Sequence, residues 1–441
     1  MKRNENRKYA YINGTVYTGR LNDAGRMEKL VRPVILTEEG RITAIGDRHT
    51  DLFGHEIVDL EGRWMMPGLI NLHVHLPGSG KPKARPEDPK ETVRKIRRIP
   101  GGMTIARRIC EEAAKTELFS GVTTIRTVGG LDDLDSRIRD RIQRGKLAGP
   151  RILAGNMAVS VPGGHMAGSL AYEALSAEDA RRFTGMIAES GADLIKLMIT
   201  GGVLDAEKEG EPGVLRMPPD YVRAACEEAH RRGLPVSAHV ESPEGVKTAL
   251  RNGVDTIEHG AMPDEEMMAL FRETGASFVT TISPAVPYAL FDRSVSRATR
   301  TQQVNGRVVL EGCIALTRAC AENGIRMGLG TDTGCPFVTH YGIWRELAHL
   351  RNFCGLEPDR ILHMATLGNA EIAGIGDLTG SIETGKAADM VITFADPLRD
   401  FRALGDPALV VSRGELFNHP KVKRFKVVEE VLDRFMEQGR A

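Results

Sequence analysis

The sequence predicts an α/β protein, a (β/α)8 barrel carrying a small β-sandwich domain formed from both termini. Three observations carry that prediction. Eight short apolar runs alternate with helix-length amphipathic stretches through the middle of the chain. Both ends read instead as short strands punctuated by glycine, with no helical period. No Gly-x-Gly-x-x-Gly fingerprint follows the first buried run, which weighs against an open dinucleotide-binding sheet.

The elements follow in order. Tyr9–Val16 with its Asn13-Gly14 step, Arg32–Thr37 before Glu39-Gly40, and Ile42–Ile45 before Gly46-Asp47 predict hairpins in a small sheet. Barrel strands are predicted at Leu69–His75, Val122–Thr127, Arg151–Ala154, Asp193–Ile199, Pro235–Val240, Asp255–Glu258, Ser277–Thr280 and Ile325–Gly330. Helices are predicted over Ala177–Ser190, Pro219–Arg232 and Arg307–Asn323. Ile382, Ala388–Phe394 and Leu409–Ser412, with turns at Gly385 and Asp396-Pro397, return to the small sheet domain. The domains are thus 1–65 with 379–420, then 66–378, and a terminal helix in 421–441. Gly78–Gly102 is rich in Pro and Gly and holds eight basic residues between Lys81 and Arg98 against three acids. It reads as a solvated loop on the side of the site. Val422, Phe425, Val428, Val431, Leu432 and Phe435 lie at helical spacing in Lys421–Gln438, a helix docked on the body or on a partner subunit.

Composition narrows the function. In 441 residues, 41% are hydrophobic and 27% charged, the balance of a soluble globular protein. Lys plus Arg equal Asp plus Glu at 59 each, so nothing global favours nucleic acid or an anionic membrane. No stretch approaches the roughly 18 apolar residues of a membrane span. Six cysteines with no Cys-x-x-Cys pair argue against a disulfide framework or a zinc knuckle and for reduced, buried thiols. No apolar run of signal length follows Met-Lys-Arg-Asn-Glu-Asn-Arg-Lys. A cytoplasmic protein acting on a small molecule is expected.

The chemistry gathers at predicted strand ends. His73 and His75 share one face of the first strand, so both imidazoles can hold one metal in the barrel mouth. His239 ends the fifth run, His259 the sixth and Asp332 the eighth, and barrels of this kind build their sites from such ends.

Met66-Pro67-Gly68-Leu69-Ile70-Asn71-Leu72-His73-Val74-His75 resembles the first-strand signature of the amidohydrolase superfamily. Gly121–Arg126, Ile257-Glu258-His259-Gly260, Gly330-Thr331-Asp332-Thr333-Gly334 and Thr379–Asp389 continue the match from about Tyr11 to Gly414. The resemblance is nearest to the imidazolonepropionase-like branch, with its Xaa-Pro dipeptidases and metal carboxypeptidases. It implies two divalent metal ions, of which zinc suits the ligand types. It also implies that Lys196 is carboxylated by CO2. One ion would take His73, His75, Lys196 and Asp332, and the other Lys196, His239 and His259. A hydroxide bridging the ions would attack a carbonyl carbon, with Asp332 moving the proton to the leaving amine. His165, in Pro162-Gly163-Gly164-His165, matches a loop histidine placed to polarise the scissile carbonyl. His340 and Arg126 are expected in the substrate pocket. The resemblance further implies a homo-oligomer.

The match departs from its pattern at three places. Where close relatives read His-x-His-Gly after the fifth strand, this chain reads His239-Val240-Glu241-Ser242. Glu241 would repel a substrate carboxylate. Met217 stands where relatives carry an aromatic residue, beside the charged stretch Asp205 to Glu211, and Thr127 replaces a common acid after Arg126. The reading is a binuclear metal-dependent hydrolase of an amide C–N bond in a dipeptide or N-acyl amino acid. Alternatives are a hydrolase of a non-peptide amide, lactam or xenobiotic, a mononuclear deaminase on the same scaffold, and a non-enzymatic protein that kept the fold.

Overall fold

The computed structural model describes residues 7–82 and 88–438. The N-terminal strands are β1 (Tyr9–Ile12), β2 (Thr15–Leu21), β3 (Met27–Val31), β4 (Val34–Glu38), β5 (Arg41–Gly46), β6 (Glu56–Asp59) and β7 (Trp64–Pro67). A four-stranded sheet runs in the order β5-β4-β1-β6. Glu39 and Gly40, both at positive φ (48° and 76°), make the expected two-residue hairpin between β4 and β5. The Asn13-Gly14 hairpin does not form. Of these two residues only Asn13 has positive φ (59°), so the primed turn that two positive φ values would make is missing. Instead the step carries the chain from β1 in one sheet to β2 in the other.

The middle of the chain holds β8 (Leu69–Val74), β9 (Val122–Thr127), β10 (Arg151–Leu153), β11 (Ala158–Ser160), β12 (Ala171–Glu173), β13 (Ile195–Met198), β14 (Val236–Val240), β15 (Thr256–His259), β16 (Ser277–Thr280) and β17 (Met327–Leu329). All eight anticipated runs are strands, while β11 and β12 are short additions from the loop around His165. Every ladder here is parallel, in one sheet ordered β10-β9-β8 and another ordered β12-β11-β13-β14-β15-β16-β17. Parallel strands need cover on both faces, which is why these read as almost unbroken apolar runs. Amphipathic helices supply the cover, among them Gly102–Phe119, Ala177–Glu189, Pro219–Arg231 and Arg300–Glu322.

The strands β18 (Met390–Thr393), β19 (Leu409–Ser412) and β20 (Glu415–Asn418) complete a six-stranded sheet ordered β20-β19-β18-β7-β2-β3. Tyr9, Tyr11 and Ile35 of one small sheet share a buried cluster with Met65, Met390 and Val411 of the other. Both termini therefore contribute to one apolar core.

Two asparagines stitch β8 to β17 where no regular ladder runs. Asn71 Nδ2 donates to Thr331 Oγ1 (2.8 Å), and its Oδ1 accepts from Thr331 N (3.1 Å). Asn369 Nδ2 donates to the carbonyls of Ile70 (2.7 Å) and Leu329 (2.8 Å), while its Oδ1 accepts from Leu329 N (2.9 Å). Two backbone bonds continue the seam, Asp332 N to His73 O and His75 N to Thr333 O, both 2.9 Å. Asn369→Ala leaves three buried backbone groups without that partner. It is expected to cost about 3 kcal/mol, read as a lower urea midpoint at unchanged slope.

The basic segment is not simply a loop. Pro89–Arg98 is a helix, capped by the Asp88 side chain on Lys90 N and closed by Lys95, Arg97 and Arg98 in its last turn. Its density of charge hides the apolar period, and only Val93 is buried. Residues 83–87 of the segment lie outside the described residues. The last helix begins at Lys426 rather than Lys421 and docks on the chain's own body. Val428, Leu432 and Met436 are buried, and Arg345 donates to Glu429 and Asp433. Among the described residues no helix is long and apolar enough to cross a membrane.

Candidate metal centre

The strand register sets the site in layers. Lys196 pairs with Ser237, which pairs with Thr256. Two residues on, Met198 pairs with His239, which pairs with Glu258. Residues paired across a sheet point to the same side, so Lys196 lies one layer beneath His239 and Glu258. His73 and His75 leave the end of β8, His259 ends β15 and Asp332 follows β17. The last two adopt left-handed backbone, with φ of 67° and 57°. Strict alternation would point Glu258 and His259 to opposite faces, but the left-handed turn brings both toward the site.

Each histidine is held by one ring nitrogen and presents the other. His73 Nδ1 donates to Glu258 Oε2 (2.8 Å) and His75 Nδ1 to the Gly129 carbonyl (2.8 Å). His239 Nε2 donates to the Gly201 carbonyl (3.0 Å), and His259 Nδ1 bonds Thr281 Oγ1 (2.7 Å). Such contacts choose the tautomer and aim the free nitrogen, as metal-ligating histidines require. The free Nε2 atoms of His73 and His75 lie 3.6 and 3.2 Å from Asp332 Oδ1. Ligand atoms of His73, His259 and Asp332 fall within 4.8 Å of one another, and so do those of His239, Glu241 and His259.

Electrostatics favour lone pairs facing a cation. Burial pushes the His73 imidazole down to about 4 and those of His239 and His259 well below their ordinary value. Burial alone would raise Asp332, but the rings of His73, His75 and His259 hold its carboxyl well below the usual range. Burial, helped by Arg126, brings the Lys196 ammonium down to about 8 against the opposing charges of Glu258 and Asp332. Lys196 is fully buried and its Nζ has no hydrogen-bond partner among the described residues. Glu258 is drawn down to about 2 despite its burial, chiefly by Arg126 and Lys196.

The other anticipated residues divide. His165 stacks on His239, with ring centroids 4.2 Å apart, and pairs through Nδ1 with Asp205 Oδ2. Burial lowers its pKa, but Asp205 outweighs that and holds it above the ordinary value. Glu241 lines the same cavity, a space of roughly 660 Å³ with its open mouth, whose apolar wall includes Met166, Met198, Val203, Leu204, Tyr288 and Val309. Arg126, Met217 and His340 do not line it. Met217 is fully buried, and His340 is spent between Glu117 and the Gly78 carbonyl. Arg126 lies beneath the site and donates to Glu258 Oε1 (2.5 Å), the Leu72 carbonyl (2.8 Å) and Thr256 Oγ1 (3.2 Å). Arg126→Met strands a buried carboxylate and is expected to cost about 3–5 kcal/mol of stability in denaturant unfolding. A residue serving only as a substrate contact would raise KM and leave stability alone.

Three residues escape the sequence reading. Glu258 orients His73, and Asp205, the first residue of the charged stretch, holds His165. Glu346, on the helix Ile343–Cys354, accepts from Ile282 N (2.7 Å) and Ser283 N (2.8 Å) and so fixes the rim that carries Pro284 and Tyr288. Glu258 at least had a signal, since it sits inside the motif that ends in His259.

Strand-end histidines and an aspartate facing one cavity above a parallel sheet are the layout of a hydrolase that works through metal. The chain belongs to the amidohydrolase family, whose model matches residues 64–417. As a member it is a hydrolase acting on carbon–nitrogen bonds, in a family that is generally metal-dependent. It is similar to a crystal structure described as a candidate prolidase from Bifidobacterium longum, at 35% identity and a TM-score of 0.85, covering 99% of each chain. Ochratoxinase from Aspergillus niger is 25% identical over 390 residues, which is 81% of this chain and 76% of that one. Imidazolonepropionase from Mesorhizobium japonicum is 26% identical over 363 residues, 77% and 80% of the two chains. These relatives place the chain in the imidazolonepropionase-like branch.

Proposed function

We propose that the chain is a binuclear metal-dependent hydrolase that splits an amide bond of a small molecule. Its working body is a (β/α)8 barrel over 66–378, with a small β-sandwich from 1–65 and 379–420 and a helix in 421–441. The observation that carries the reading is Lys196, a buried amine without a partner on the wall of the cavity that the histidines line. An ammonium cannot ligate a cation, but the neutral amine that burial favours can form a C–N bond to CO2, release one proton and become a carbamate anion with two oxygens. The donor set then fits two divalent ions. His73, His75, carboxylated Lys196 and Asp332 would hold one, and Lys196, His239 and His259 the other, with zinc suited to these ligands. When bound, such ions supply a Lewis acid for a carbonyl oxygen and bring the ionisation of water near neutral pH.

The chain's own residues do the rest. Asp332 takes the proton of the attacking water and passes it to the leaving nitrogen. Asp205 accepts from His165 Nδ1 and favours the imidazolium, whose Nε2–H would donate to the carbonyl oxygen of the substrate. The apolar wall excludes water and receives the acyl or leaving group. Burial pushes the Glu241 carboxyl up to about 8, so a substrate's free carboxylate brought beside it would meet a second acid rather than a cation, which favours capped amides, lactams and xenobiotic amides over free dipeptides. Among the relatives, ochratoxinase and the prolidase-like structure support hydrolysis of a C–N bond as the reaction. The expectations of a cytoplasmic setting and a homo-oligomer stay with this reading.

The test is a paired library of dipeptides and N-acyl amino acids, each as the free acid and as the amide, assayed on zinc-loaded protein for released amine. Turnover of capped amides alone supports the reading as stated. Fast turnover of free Xaa-Pro acids refutes the role given to Glu241. No amine from any pair, with deamination of a heterocycle instead, favours the mononuclear alternative.

A further inference from the structure

We propose that Glu241 is a metal ligand, giving the His239–His259 half of the centre a carboxylate of its own. This rests on the binuclear reading and deepens it. Glu241 follows His239 by two residues, one past the end of β14 (Val236–Val240), and both side chains line the same cavity. One ligand atom of each of His239, Glu241 and His259 lies within 4.8 Å of the others.

The three are also anchored alike. The Gly201 carbonyl holds His239 Nε2, Thr281 Oγ1 holds His259 Nδ1, and Val203 N donates to Glu241 Oε2 at 3.1 Å. Each anchor occupies one polar atom and leaves its neighbour free: Nδ1 of His239, Nε2 of His259 and Oε1 of Glu241. The same short segment, Gly201–Val203, pins both His239 and Glu241. Its middle residue packs closely on the site, since a Cβ on Gly202 would lie 3.3 Å from the rings of both His165 and His239 and would push them by a few tenths of an ångström. Thr200 Oγ1 accepts from Glu241 N at 3.0 Å and fixes the backbone as well. Ligands held by outer partners in this way bind tightly and in one geometry.

Two consequences follow from the chemistry. This half gains three protein ligands that do not depend on the carboxylation of Lys196. A further anionic oxygen also lowers the positive charge that the ions present to a substrate, and tilts metal preference toward oxygen-tolerant ions such as Mn²⁺.

The experiment is a titration of metal-free, full-length protein with Zn²⁺ and Co²⁺ against a chelating dye, with the cobalt absorption spectrum recorded alongside. Wild type, Glu241→Gln, Glu241→Asp, His239→Ala and the Glu241→Gln/His239→Ala double variant are compared, with circular dichroism as the folding check. Glu241→Gln is expected to weaken one of two ions by about 10- to 100-fold or more and to change the cobalt spectrum. The aspartate variant recovers part of that affinity, and Glu241→Gln adds little once His239 is gone, because both hold the same ion. Both ions bound by Glu241→Gln with wild-type affinity and spectrum would overturn the proposal. If the wild type takes up one ion only, the binuclear reading fails. The same comparison on that ion then decides Glu241, which stands if the ion is weakened and falls if it is not.

Discussion

Lys196→Ala is expected to lower kcat/KM on the order of 10³-fold, about 4 kcal/mol of transition-state stabilisation. The loss should accompany a drop in bound metal rather than loss of the fold. The physical basis is the protonation state. An ordinary lysine near 10.4 is neutral in only about one molecule in a thousand at pH 7.5. Burial brings Lys196 to about 8, so roughly a quarter is neutral at that pH and can add CO2. Short carboxylates such as formate or propionate should therefore restore part of the activity of the alanine variant, whose vacated space can receive them. Bicarbonate should raise the activity of wild type prepared free of CO2 and leave the variant unchanged. A variant that keeps full metal content and more than a tenth of the activity would remove Lys196 from the centre.

Asp332→Asn should be as severe, with kcat falling by about 10³- to 10⁴-fold, because in the proposed mechanism one carboxylate would serve as both ligand and proton carrier. Asparagine is the informative replacement. The backbone at this position is left-handed, φ 57°, a conformation that asparagine accepts more readily than most residues. The fold should hold while the anionic oxygen and the proton acceptor are both lost. The measurement is kcat across pH 6–9 together with the unfolding midpoint. A variant that loses activity only through a raised KM would place Asp332 in substrate binding instead.

Much of the site was legible in the sequence because strand ends are easy to read. An apolar run closing on His-Val-His leaves few other interpretations once His239, His259 and Asp332 close further runs in the same way. The remainder depended on geometry that no local pattern carries. Glu258 meets His73 from another strand, and His259, next to it in sequence, faces the same site only because it takes a left-handed turn. Asp205 reaches His165 from a charged stretch in which nothing local singles out one acid from its neighbours. Arg126 looked like a pocket residue because its motif borders the site, yet its guanidinium is engaged below the histidines. At the N-terminus a dipeptide signal for a hairpin gave way to tertiary structure, which needed the chain to cross between sheets at Asn13. The helix Pro89–Arg98 was obscured by the same charges that stabilise its ends.

The seam between β8 and β17 bears on how the protein matures. Asn71 and Thr331 lie 260 residues apart in sequence, and the contact costs loop-closure entropy until the strands between them are in place. While the protein is being synthesised, His73 and His75 leave the ribosome long before Asp332 exists. A nascent chain can therefore present only part of the centre, and at about 5–20 residues per second the interval lasts tens of seconds or less. Stable metal capture at the proposed centre would thus be a late event in biogenesis, reserved for chains that have joined their first and last inner strands.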